Sequence, residues 1–115
     1  MSTEPDNIRQ TIYSILNVDG LNSLKHPNNR ELSNANYIGF YIVWRTNNLT
    51  LRGIGQHFDN RDHSTVLRGL NMINESMVGY NQELRSKLIK VLDHYKLDFK
   101  PYKKERYEQI HKRLN

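Results

Sequence analysis

The sequence predicts an all-α domain, and three observations lead to that prediction. Apolar residues recur three and four positions apart along most of the chain, which is the spacing of one face of an α-helix. No stretch alternates apolar and polar residues in the way that a half-buried strand does. With 115 residues and no cysteine, the chain has the size of one domain and can bury a core that needs no disulfide.

The first helix is predicted to start after Asp6, and we expect residues 1–5 to be disordered. Its apolar face consists of Ile8, Ile12, Ile15 and Leu16. Residues 25–31 contain a proline, two asparagines and no apolar residue, which is typical of a loop. Two cations, Lys25 and Arg30, lie in that loop.

A second, longer helix is predicted from Ser33 or Asn34 to about Asn47. It is apolar on nearly all sides, with Tyr37, Ile38, Phe40, Tyr41, Ile42, Val43 and Trp44. A helix of that kind is buried in the centre of a domain. Asn47 and Asn48 end it, and Thr50 is typical of the N-cap of a helix that follows.

Residues 51–73 have the pattern of two helices joined by a tight turn. The first helix carries Leu51, Ile54, Gly55 and Phe58 on one face, and the second carries Val66, Leu70 and Ile73. Between them, Asp59 and Asn60 favour turns and tolerate left-handed geometry, and Asp62 stands at an N-cap position. Gly55 and Gly69 are expected to let the two helices approach closely. The pattern predicts a helix-turn-helix, which places its second helix in the major groove of DNA.

Two further helices are predicted in the C-terminal part. The first runs from Asn81 to Tyr95, and its inward residues are Leu84, Leu88, Leu92 and Tyr95. After Pro101, which forces a stop, helical spacing returns among lysines and arginines with Tyr107, Ile110 and Leu114. We therefore expect a helix-turn-helix domain at residues 6–95 and a basic helical extension at residues 96–115.

The net charge of +5 is unevenly distributed along the chain. Residues 1–94 hold ten Lys and Arg against nine Asp and Glu, whereas residues 95–115 hold seven against three. The basic balance therefore belongs mainly to the extension. It supports nucleic-acid binding only if the extension lies near the duplex.

The start of the second motif helix carries side chains that suit the edges of DNA bases. A carboxylate such as Asp62 accepts from cytosine N4, His63 packs on a thymine methyl or donates, and the Ser64 hydroxyl suits either role. Thr65 and the free N–H groups of the first turn are suited to hold a phosphate. Arg61 and Arg68 suit phosphates, and Arg68 also suits a bidentate contact with guanine. Taken singly, each of these residues is also a common surface or capping residue.

The stretch Phe58-x-x-Arg61-Asp62-His63-Ser64-Thr65-Val66, preceded by Ile54-Gly55, resembles the signature of the DNA-binding domain of the bacterial replication initiator DnaA. The resemblance extends from residue 6 to about residue 92. It implies a Trp-repressor-like helix-turn-helix that binds double-stranded DNA sequence-specifically at replication origins, in a bacterium or phage. It implies base contacts from Asp62, His63, Ser64 and Arg68, and DNA-backbone contacts from Arg61, Thr65, Thr50 and Arg52.

The resemblance also concerns the loop before the long helix. In the family this loop is strongly basic and inserts an arginine into the minor groove. Here the corresponding residues are Lys25, Asn28 and Arg30, with Asn28 close to the position of the inserting arginine. The family also usually has a histidine at the position of Arg68. We expect weaker affinity, an altered DNA sequence preference, or compensation by the extension.

Other functions lack the residues that they would need. The chain has no phosphate-binding loop for a nucleotide, and no constellation of carboxylates or Ser, His and Asp that suits catalysis. His57 and His63 have no third ligand near them, so neither a metal nor another cofactor is expected. No apolar run approaches the ~20 residues of a membrane span, and we expect a cytoplasmic protein that is not an enzyme.

Two alternatives to sequence-specific DNA binding remain open at this stage. One is a protein-interaction module, such as a replication inhibitor, that keeps the fold and binds a partner protein. In that case the apolar residues of the extension would dock a partner or form a homodimer. The other is a dimeric transcriptional regulator, which needs two-fold geometry on its operator.

Overall fold

The computed structural model describes residues 2–19 and 29–103 of the chain. Within these ranges the secondary structure consists of five α-helices, without a strand. They are α1 (Pro5–Ile15), α2 (Arg30–Thr46), α3 (Leu51–Gln56), α4 (His63–Met77) and α5 (Gln82–Tyr95). The predicted all-α class is confirmed. No helix in the described part is long and apolar enough to cross a membrane.

Helix α2 lies at the centre of the domain and contacts each of the other four described helices. Its buried apolar residues include Ile38, Phe40, Tyr41, Ile42 and Val43, as the sequence predicted. The helix begins earlier than expected, because the Asn29 side chain accepts hydrogen bonds from the N–H groups of Glu31 and Leu32 at 3.0 and 3.3 Å. Arg30 and Glu31 therefore form the first turn of α2, and their assignment to a loop was wrong.

Helix α5 agrees with its prediction. Asn81 is the N-cap and accepts from the Leu84 N–H at 3.1 Å, and Leu84, Leu88, Leu92 and Tyr95 are buried. Lys96 ends the helix in a left-handed conformation, with φ of 55°. Left-handed residues are common at this position, because they turn the chain away from the helix axis.

Residues 97–103, which we call the strap, then cross α2 and α4 without helical structure. The Tyr41 hydroxyl accepts from the Lys100 N–H at 2.8 Å and donates to the Lys100 carbonyl at 2.7 Å. On α4, the Asn74 amide donates to the Tyr102 carbonyl and accepts from its N–H, both at 2.9 Å. The strap is therefore fixed to α2 and to α4. Most of the predicted last helix, from residue 104 onward, lies outside the described residues.

Candidate nucleic-acid interface

A tight turn of residues 57–62 joins α3 to α4. The Gly55 carbonyl accepts from the N–H groups of both Phe58 and Arg61 at 3.0 Å, and so holds the two ends of the turn together. Asp59 and Asn60 have φ of 61° and 56°, the left-handed geometry that the sequence predicted. A Cβ on Gly55 would lie 2.0 Å from the Arg61 carbonyl oxygen. Only a glycine permits this approach, which confirms the prediction for Gly55.

Gly69 has a different role from the one expected. A Cβ at this position would meet the rings of Tyr37 and Phe40 at 2.7 Å, and both rings belong to α2. The approach of α4 to the α3 segment occurs one turn earlier, where Val66 faces Gly55. The prediction that Gly69 lies at the crossing of the two motif helices was therefore wrong. It allows α4 to pack closely on α2 instead.

Helix α1 fastens the turn from the side. The Arg9 guanidinium lies over the buried ring of Phe58, 5.5 Å from its centroid. It also donates to the Asp59 carboxylate at 2.6 Å and to the His57 carbonyl at 3.3 Å. Burial lowers the pKa of Arg9, but the bonds to Asp59 and Tyr13 outweigh it and raise the pKa overall. No local sequence pattern marks Arg9, because its partners at the turn lie about 50 residues away along the chain.

Asp62 caps α4 as predicted. Its carboxylate accepts from the Thr65 N–H at 2.8 Å, and this hydrogen bond lowers the pKa of Asp62, as does a bond with the Thr65 side chain. The carboxylate is nevertheless exposed. The cap fixes where the carboxylate lies relative to the first turn of α4, and solvent can still reach it.

The structure brings the four predicted base-contacting residues and two of the predicted backbone-contacting residues, Arg61 and Thr65, together near the start of α4. Arg61, Asp62, His63 and Ser64 are consecutive and exposed, Arg68 is exposed one turn later, and Thr65 is half-buried. Among the described residues, no hydrogen bond or ion pair engages the side chains of Arg61, His63, Ser64 or Arg68. These side chains are therefore available to a ligand in solution.

The other predicted DNA-contacting residues lie on other parts of the chain. The Thr50 hydroxyl caps α3 by accepting from the Gly53 N–H at 3.0 Å, which confirms it as the N-cap. Arg52 is exposed on α3. Arg30 forms an exposed ion pair with Glu83 of α5 at 3.4 Å. Lys25 and Asn28, the other residues assigned to the minor groove, lie outside the described residues.

The exposed face of α4 continues beyond the residues that the sequence singled out. An open groove along this face is lined by Ser64, Leu67, Arg68, Asn71, Met72 and Glu75. The predicted base contacts do not extend past Arg68, because they were inferred from a family motif that ends near the start of α4. Helical spacing alone would have placed Asn71 and Glu75 on the same face.

His57, one of the two histidines considered as metal ligands, contacts α1. Across residues 2–19 and 29–103, no three His, Cys, Asp or Glu side chains form a group that could hold a metal ion. Instead, the His57 Nδ1 lies 3.1 Å from the Asp6 carboxylate of α1. This contact adds to the fastening of the turn by α1.

The chain was compared with known protein families and proteins. A family model described as the bacterial dnaA protein helix-turn-helix matches residues 5–73. The chain is 27% identical over 78 residues to the chromosomal replication initiator protein DnaA of Chlorobaculum tepidum, which covers 68% of this chain. It is 31% identical over 75 residues to the protein of the same name from Crocosphaera subtropica, which covers 65% of this chain. The match spans 16% of the length of each relative. No solved structure matches the chain significantly.

Proposed function

Because the chain belongs to the family of bacterial DnaA helix-turn-helix domains, we propose that it binds double-stranded DNA sequence-specifically, with α4 in the major groove. The family match runs from the start of α1 to residue 73 and so includes α3, the turn and most of α4. The observation that carries the proposal is the exposed run Arg61–Ser64 at the start of α4. These residues are held in place by the Asp62 cap and the Gly55 turn, while their donors and acceptors remain open to a ligand.

The dimensions and chemistry of α4 suit this role. Its 15 residues give a helix about 22 Å long and ~10 Å wide, which fits a major groove of about 12 Å. In this position Asp62 accepts from a cytosine N4, while His63 and Ser64 contact the neighbouring base edges. Arg68 donates to guanine O6 and N7. The first-turn N–H groups and Thr65 bind a phosphate, and Arg61 neutralises another.

Further contacts with the DNA come from residues outside α4. Thr50 and Arg52 lie at the start of α3, the helix that crosses the backbone in this motif. The Thr50 hydroxyl accepts from Gly53 and keeps its own hydrogen free to donate to a phosphate. The resemblance to the family assigns Lys25, Asn28 and Arg30 to the minor groove. The Arg30–Glu83 pair is exposed, so a phosphate can replace Glu83 at little cost.

The biological setting that we propose is replication initiation or its regulation in a bacterial or phage cytoplasm, and the domain itself is not catalytic. The two relatives are both named as chromosomal replication initiator proteins. Since the match spans 16% of each, the domain supplies DNA recognition rather than the activity of a whole initiator. The family is a DNA-binding one, which supports a binding function without catalysis.

A second candidate function is protein interaction, and one exposed apolar site favours it. Val78 and Tyr80, which follow α4 directly, are 73% and 82% exposed. The two residues are two positions apart in the sequence, and exposed apolar side chains contribute to protein-binding surfaces where they form a patch. A partner protein or a second copy of the chain would cover them.

The proposal is tested by fluorescence anisotropy with a duplex that carries the DnaA consensus box and a scrambled duplex, over a range of salt concentrations. The wild-type protein is expected to prefer the box, and the double variant His63→Ala/Arg68→Ala to lose that preference with unchanged far-UV circular dichroism. The control is Lys90→Ala/His94→Ala, which removes one cation and one histidine from the exposed side of α5. Unchanged binding by the first variant would contradict the assignment of the site. Absence of binding at low salt would favour the protein-interaction function.

A further inference from the structure

The exposed face of α4 carries a further polar residue, Asn71, which lies beyond the residues that were assigned DNA contacts. Leu67, Arg68 and Asn71 lie three, four and seven residues after Ser64, and all four residues line the open groove. In homeodomains the base-contacting side chains of the recognition helix have this same spacing. A helix that lies along the major groove can therefore reach base edges from all four positions. Asn71 occupies the last of them.

The side chain of Asn71 is free to bind. It is exposed, and no described residue forms a hydrogen bond with it. Asn74, one turn further along α4, is already engaged. Its side-chain amide donates to the Tyr102 carbonyl and accepts from the Tyr102 N–H in the strap. Of these two asparagines, only Asn71 can offer a donor and an acceptor to a ligand in the groove.

An asparagine amide matches one base better than the others. Adenine presents the N7 acceptor and the N6 donor side by side in the major groove, and the amide binds both at once. Guanine presents two acceptors at the same edge, so the amide oxygen would face another acceptor. A free asparagine on this face therefore selects adenine.

We propose that Asn71 contacts an adenine and so determines part of the DNA sequence that this domain binds. The inference rests on the proposed function, since it requires α4 in the major groove. Asn71 lies eight residues after His63, which corresponds to about 12 Å along the helix. With a rise of about 3.4 Å per base pair, its adenine lies about three base pairs from the pair that His63 contacts. The DNA sequence that the domain recognises is therefore longer than the one that the first turn of α4 alone would contact.

The experiment uses the full chain and a target duplex selected with the wild-type protein from a random pool. Each adenine of the target is replaced in turn by 7-deazaadenine, which lacks the N7 acceptor, and affinity is measured by fluorescence anisotropy. When one particular adenine is replaced, we expect the affinity of the wild type to fall about fivefold or more. This lies within the range of about 5- to 150-fold for a bidentate contact. Asn71→Ala should bind the natural target correspondingly more weakly and show no further loss with 7-deazaadenine at that position.

The controls separate this inference from the proposed function. Ser86→Ala, on the exposed side of α5, should behave like the wild type on every duplex. If the wild type selects a sequence and Asn71→Ala responds to every 7-deazaadenine as the wild type does, the inference is wrong and the proposed function stands. If the wild type selects no sequence at all, the proposed function is wrong, and the inference fails with it.

Discussion

The close approach at Gly55 makes a specific prediction about Gly55→Ala. The new methyl carbon would lie 2.0 Å from the Arg61 carbonyl oxygen, 3.0 Å from the carbonyl carbon and 3.3 Å from the Val66 Cγ2. The nearest atoms belong to the backbone and cannot rotate away as a side chain can. Moving them also strains the bonds that the Gly55 carbonyl accepts from Phe58 and Arg61. The turn and the start of α4 must therefore shift together.

The size of the effect follows from these contacts. Overpacking of a filled site costs up to about 3 kcal/mol, and each weakened hydrogen bond costs about 1 kcal/mol. The higher helix propensity of alanine offsets about 1 kcal/mol of this. We expect Gly55→Ala to reduce the free energy of unfolding by about 3–4 kcal/mol. That corresponds to a fall in Tm of roughly 12–16 °C, at about 4 °C per kcal/mol for a domain of this size.

The assay is urea and thermal unfolding followed by far-UV circular dichroism, with Gly53→Ala as the matched control. Gly53 lies in the same helix, but the nearest atom to its added Cβ is the Thr50 hydroxyl oxygen at 3.3 Å. Its substitution should change the free energy of unfolding by less than about 1 kcal/mol, since a small shift of the Thr50 side chain relieves the contact. If the two variants were equally stable, the backbone approach at Gly55 would not exist in solution and the argument for the turn would be refuted.

Three further predictions concern the parts that hold the interface in place. A double-mutant cycle of Arg9→Ala and Asp59→Ala should give a coupling energy of about 1 kcal/mol in urea unfolding, and a value near zero would contradict the fastening of the turn by α1. Asn74→Ala removes two hydrogen bonds to the backbone of Tyr102. It should therefore lower the free energy of unfolding by about 1–2 kcal/mol and speed proteolysis in the strap. Unchanged proteolysis would be evidence against the attachment of the strap to α4. Because the cap bond depresses the pKa of Asp62 below its usual 3.8, its ionised form stabilises the fold above that pH, and this contribution is lost as the pH falls through the lower folded value. In urea unfolding at several pH values, the stability of the wild type relative to Asp62→Asn should therefore decline over this acidic range, and a constant difference would count against the role of the charged cap.

The sequence predicted the local geometry of the helix-turn-helix well where its signals are local. Thr50 and Asp62 cap the helices that follow them because each side chain reaches an N–H three residues on. Asp59 and Asn60 adopt left-handed geometry because their short polar side chains tolerate it better than most. The main predicted DNA contacts came together for the same reason, since they are consecutive in the chain.

The features that the sequence could not predict depend on contacts between distant residues. Arg9 reaches the turn across about 50 residues, and no local pattern marks such a pair. Gly69 is a small residue of the kind expected where two helices cross, but only the packed structure shows that the helix crossing there is α2. Asn71 and Asn74 are equivalent as asparagines on one helix. Their difference arises from the strap, whose path over α4 is set by tertiary contacts.

The central claim is that α4 recognises a DNA sequence, and selection of binding sites from a random pool of duplexes tests it most directly. The wild-type chain should enrich one motif over successive rounds. His63→Ala/Arg68→Ala should enrich none, although it folds normally. The motif should contain an adenine about three base pairs from the position whose preference His63→Ala alone abolishes. A pool that remains random after selection with the folded wild-type chain would contradict the account.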